Sequence, residues 1–150
     1  MRSRVPEVIA RLVALGNADT ALTGVHVSDG PEVTETQAAD WLIIGFDGDQ
    51  TGDFEAAQSV SDWTDLGSGR EEEFQVTVAA VAKRGDTDTV AARARVYEIG
   101  DRVEAWTRDD PSLGLVSLQA GIGATRLVQD QTDNGAQAVL LMTVAGRGFT

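Results

Sequence analysis

The chain has 150 residues, 24 of them acidic and 12 basic, for a net charge of −12 and a pI near 4.3. It contains no cysteine, which excludes disulfide scaffolds, thiolate metal sites and thiol nucleophiles, and its acidity excludes ordinary nucleic-acid binding, where Lys and Arg displace counterions from phosphates. The length fits one domain, residues 1–150, with a core that needs no staples.

Residues 6–15 (PEVIARLVAL) put Val8, Ile9, Leu12, Val13 and Leu15 on one broad face, with Ser3 as a cap, Pro6 early and Gly16 at the end. This predicts a helix. Met1-Arg-Ser-Arg4 leads straight into it, and no apolar run approaches the roughly 18 to 20 residues of a membrane span, so neither a signal peptide nor a membrane segment is expected. Residues 25–28 (VHVS) alternate until Asp29-Gly-Pro31 turns the chain, which reads as a short strand. Residues 41–46 (WLIIGF) are almost wholly apolar, as in a buried strand.

The next stretch, residues 47–53 (DGDQTGD), resembles the first half of an EF-hand loop. A calcium loop of that kind closes on a bidentate glutamate at position 12, and counting from Asp47 that position is Gln58. The preceding element also reads as a strand where an EF-hand needs a helix, so a solvated turn is the expectation. Residues 48–70 read as one long polar loop carrying Phe54, Val60, Trp63 and Leu66. Loops longer than about 12 to 15 residues in a compact domain tend to be functional or disordered. Apolar side chains there either tuck into the domain's own core or dock on a partner. Trp41 and Trp106 are assigned to the core.

From Glu73, the alternation of Phe74, Val76, Val78 and Ala80 with polar residues predicts a half-buried strand, and Glu71-Glu-Glu73 reads as charge protection of a sheet edge. Asp86-Thr-Asp-Thr89 supplies capping groups for a long helix over residues 90–107, with Val96, Ile99, Val103 and Trp106 at helical spacing. Gly100 within it costs about 1 kcal/mol relative to alanine and allows a neighbouring strand to come close. Pro111 stops it. Strands are expected at residues 115–119, 125–131 and 136–145, the last two joined through Asn134-Gly135, whose positive backbone angles suit a tight hairpin. Val139-Leu-Leu-Met142 is apolar on both faces and so needs a helix or a second subunit as cover. The element order indicates an α+β fold, a mainly antiparallel sheet packed against two helices.

Catalytic readings find little support. His26 is the only histidine and has no nucleophile motif beside it. Gly121-Ile-Gly123 follows a strand but lacks the third glycine and the helix of a dinucleotide loop. Adjacent acids such as Asp109-Asp110 are expected on the solvated face of so acidic a chain.

Taken in order, several segments resemble the tail terminator proteins of long-tailed, siphovirus-type phages of actinobacteria. They are the first helix at residues 6–15, residues 25–31 (VHVSDGP) and residues 41–49 (WLIIGFDGD). Residues 63–67 (WTDLG) follow, leading into residues 70–78 (REEEFQVTV). Next come residues 85–88 (GDTD) before the long helix, residues 110–114 (DPSLG), and the closing hairpin at residues 130–135 (DQTDNG) with its apolar last strand. The resemblance implies a tail-terminator-like domain without catalytic activity, cofactor or metal. It implies a homo-oligomer, a ring of six, at the head-proximal end of the tail tube in the virion, assembled in the host cytoplasm. Such a ring stops tube growth and offers a docking surface to the neck proteins, while DNA passes through without specific binding. The residues expected to face the tube or a neighbouring subunit are Asp47, Asp49, Asp53, Phe54, Trp63 and Leu66. Two alternatives stand beside this one: another neck or tail-completion protein, or a monomeric calcium- or ligand-binding domain built on DGDQTGD.

Overall fold

The computed structural model describes residues 2–33, 38–63 and 69–150. In chain order these form α1 (Val5–Ala18), a single 3-10 turn (Thr20–Leu22), β1 (Val25–Asp29), β2 (Asp40–Ile44), β3 (Ala57–Trp63), β4 (Arg70–Arg84), α2 (Thr89–Asp109), β5 (Leu118–Thr132) and β6 (Gly135–Phe149). The six strands make one sheet in the order β1-β2-β4-β6-β5, with β3 added beside the first half of β4. β1 and β2 pair in parallel and every other pair is antiparallel. The fold is α+β, as the element order predicts.

Alternation along β4 and β6 sorts the core onto one face. Phe74, Val76, Val78, Ala80 and Ala82 of β4 join Ala138, Leu140, Met142 and Val144 of β6. Val8 and Leu12 of α1, with Val96, Ile99 and Val103 of α2, close over them. Both helices therefore lie on the same side. α2 approaches β6 closely because Gly100 has no side chain: a Cβ there would stand 2.8 Å from Cδ2 of Leu140. Gly16 plays the same part in α1 against Val27. It lies inside the helix, which runs on to Ala18, and is not the terminator that its position suggests.

Three further expectations change. Residues 48–70 are not one loop, because seven of them form β3, paired with β4 from Ala57↔Val76 to Trp63↔Arg70. The end of the predicted strand at 115–119 and the whole of that at 125–131 belong to a single strand, β5, which starts at Leu118 and has a bulge between Ile122 and Thr125 at Gly123, while residues 115–117 lie before it in a turn. Glu71-Glu-Glu73 protects no edge. Here β4 is flanked by β3 and β6, and Glu72 is buried, with its carboxylate accepting from the Arg4 N–H and the Ser3 hydroxyl, both at 2.6 Å. Ser3 thus serves the start of α1 partly through Glu72, besides accepting from the Val5 N–H.

Two aspartates tie the helices to the rest. Asp19 accepts from Arg102 at 2.8 Å and Trp106 at 2.9 Å, and Asp40 accepts from Arg84 at 2.7 Å and Arg95 at 2.9 Å. Burial raises each carboxyl, but these donors outweigh it, and both titrate below the ordinary carboxylate value. A carboxyl whose pKa is lower folded than unfolded adds stability that is complete above its unfolded value and disappears as pH falls through its folded one. Thermal melts should therefore show Tm falling from about pH 5 to about pH 3. The double variant D19N/D40N should melt lower at neutral pH and lose less across the same interval.

Candidate interface surfaces

With both helices on one side, the other side of the sheet has no helical cover among the described residues. At the β1–β2 end it carries an apolar cluster of Ile43, Phe46, Ala79 and Val81, flanked by Trp41, Val139 and Leu141. A cleft of about 200 Å³ opens there, with Lys83, Gln137 and Gln50 on its rim. Val139 and Leu141, predicted to need a second cover, lie on this face, while Leu140 and Met142 are covered by α2. Trp106 is core as expected. Trp41 is half-buried on the open face, its ring set edge-on against His26 with centroids 4.4 Å apart. His26 also pairs with Glu32 at 3.0 Å and has a structural part.

The loop after β2 folds onto this face. Asp47 accepts from the Asp49 N–H, Asp49 from the N–H and hydroxyl of Thr51, and Asp53 from the Glu55 N–H. All three are turn-forming contacts of the kind Asp makes with its own backbone. The Thr51 hydroxyl and N–H hold Asp49 below the usual carboxylate range. Among the described residues no group of three or more His, Cys, Asp or Glu is arranged to hold a metal ion. Phe54 stacks on Phe46, with centroids 5.2 Å apart and planes 6° from parallel. It does so with a positive φ of 57°, a conformation costly for a bulky residue.

Trp63 lies far from these groups. It ends β3, a strand of seven residues that spans roughly 20 Å at 3.3 Å per residue. It is 66% exposed, and its ring receives the Arg70 guanidinium at 5.0 Å. Leu66 lies outside the described residues. The five described residues fall in two places: Asp47, Asp49, Asp53 and Phe54 lie together in the loop over the open face, and Trp63 stands apart at the end of β3.

Among the sheet's outer strands, sequence reasoning overlooked β3 and divided β5. Val60 on β3 is 69% exposed and Val128 on β5 is 42% exposed. Neither strand contains lysine or proline, the usual deterrents to edge pairing. The available signal was the alternation of AQSVSDW, too weak in apolar residues to stand out against its polar surroundings.

The sequence matches no family model and no curated protein. Among solved structures, the fold is similar to that of a chain in the virion of a native gene transfer agent particle. The TM-score is 0.60 at 13% identity, covering 94% of this chain and 95% of that one. At that identity the likeness establishes a shared fold.

Proposed function

We propose that this chain is a structural virion protein whose copies close into a ring, probed first as a hexamer, on the head-proximal end of a phage tail tube. There it ends tube polymerisation and presents a docking surface to the neck proteins that join head to tail. Its work is assembly, with no reaction catalysed and no cofactor held. The observation that carries this reading is the end-to-end fold likeness to a virion chain. The resemblance of its sequence segments, in order, to those of tail terminators supports a place in the tail. The net charge of −12 suits a channel that DNA crosses without sticking, and a sheet with one face free of helices and open edges among the described residues suits a protein completed by its neighbours.

Imaging of the purified chain mixed with growing tail tubes is the test. An annulus on one tube end, together with arrested elongation, is expected. Tubes that lengthen unchecked with bare ends would sink the proposal, and annuli found only on isolated necks would move the protein to a neck role. Deleting residues 48–69 is unsuitable for locating the contact, since it strips β3 from the sheet. Trp63→Ala is the better probe. Because Trp63 is mostly solvent-exposed, Tm should move by less than about 2 °C, surface substitutions usually staying within ±0.5 kcal/mol. Tube capping should weaken. Full capping by the alanine variant would remove Trp63 from the interface.

A further inference from the structure

Among the described strands with an unpaired edge, β1, β3 and β5, the edges of β3 and β5 fit each other. β5 runs in the direction of β4, and β3 runs opposite to β4. Two copies in the same orientation, placed side by side, therefore bring β5 of one against β3 of the next as antiparallel neighbours. Backbone N–H and C=O groups left open along each edge would then be paired.

The side chains select a register. Val60 and Asp62 pair with Glu73 and Glu71 of β4, so by alternation they lie on the open face, opposite to buried Phe74 and Glu72. Arg126 and Val128 pair with Leu141 and Val139, which belong to that same face. On each edge a charged residue and an exposed valine are two positions apart, and the order reverses between the edges. Placing Arg126 opposite Asp62 in antiparallel pairing therefore places Val128 opposite Val60. Neither Arg126 nor Asp62 has an ion-pair partner among the described residues. The same register sets Trp63 opposite Thr125 on the other face, diagonal to partly buried Leu127, within reach of an aromatic side chain.

We infer that the partner of this edge is a second copy of the chain, joined β5 to β3 with Arg126 against Asp62 and Val128 against Val60. The contact is heterologous, one patch meeting a different patch, which is the kind that closes rings. It also staggers adjacent copies. Asp62 is level with Phe149 through Glu71, and Arg126 is level with Leu141. The offset is eight residues, or about 26 Å at 3.3 Å per residue, and a sheet that closes on itself requires a stagger between its strands. This inference rests on the ring reading above.

Absence of cysteine from the native chain makes the test clean. Directly opposed antiparallel residues have Cα atoms about 4.5 to 5.5 Å apart, within disulfide range. The full-length double variant V60C/V128C, oxidised from micromolar to near-millimolar concentration and beside tail tubes, is expected to give a non-reducing ladder ending at the ring size. Each single variant should give no ladder. Adding R126D should lower the cross-linked yield by about fivefold to tenfold, and adding D62R as well should restore it, as expected for a cross-strand charge pair. Circular dichroism of every variant confirms that these exposed positions leave the fold intact.

A ladder without a top rung would uphold the edge pairing and overturn the closed ring. Rings visible by imaging but never cross-linked would overturn the pairing and leave the ring reading standing. Dimers from V128C alone would show β5 meeting β5, and a monomer throughout would show no pairing at all. Either result overturns the inference.

Discussion

Gly146→Ala is expected to destabilise the protein by about 3 kcal/mol or more, at the upper end of what overpacking costs. Gly146 lies in β6 opposite Ala120 of β5 and Phe74 of β4. A Cβ built on it overlaps the carbonyl oxygen of Gln119, lies 2.7 Å from Cζ of Phe74 and 3.0 Å from Cα of Ala120. Two of those three neighbours are backbone, so no rotamer change relieves the contact. Either β5 peels away from β6 or the Phe74 ring leaves the core. The helix position Gly100 offers the comparison. There the neighbour is the flexible end of Leu140, and alanine brings back about 1 kcal/mol of helix propensity, so Gly100→Ala should cost much less. Paired thermal melts decide the matter: Gly146→Ala should lower Tm by roughly 6 to 12 °C for a chain of this size. A change of less than about 2 °C would mean that β5 yields locally at no real cost.

The second large effect is expected at Glu72. Its buried carboxylate receives the Arg4 N–H at the head of α1 and the Ser3 hydroxyl. Helix N-termini leave N–H groups without intrahelical partners and carry partial positive charge, and Arg4 as N-cap has no side-chain cap of its own. A strand residue 68 positions away does the capping. Glu72→Ala leaves both donors without their acceptor and opens a cavity, at a cost of about 2 to 4 kcal/mol. Glu72→Gln keeps one acceptor oxygen in nearly the same volume and should cost about half as much. Denaturant titration of the two variants distinguishes them. Equal losses would mean that the intact carboxylate, rather than volume, is what the site supplies, and a Gln variant as stable as the native chain would mean the reverse.

How far these features can be read from sequence depends on which residues carry them. α1, β2, β4 and α2 declared themselves because their apolar residues are buried and periodic, as with Val96, Ile99, Val103 and Trp106 of α2. β3 did not. Its residues are mostly exposed, so its pairing is held by backbone hydrogen bonds that leave little trace in side-chain pattern. β5 was split in two because the glycines at 121 and 123 interrupt the side-chain pattern, where the second of them sits in a bulge. Glu72 was hidden in a run of three glutamates, whose composition suggested solvent while the register of β4 sent the middle one inward. The interface residues were legible only in part. Phe54 and Trp63 were noticed as large side chains in polar company, yet one closes a turn and the other projects, a difference set by pairing partners far along the chain. Val60, Asp62, Arg126 and Val128 acquire meaning only when two strand directions are known.

The position of β6 bears on how the molecule is made. It fits between β4 and β5, yet it leaves the ribosome after both. Until residues 135–149 emerge, β4 and β5 are two long strands awaiting the same absent neighbour, with Phe74, Val76 and Val78 on one of them. A nascent chain is then at its stickiest just before β6 emerges, and deleting residues from β6 should impair solubility more than deleting those immediately before α1.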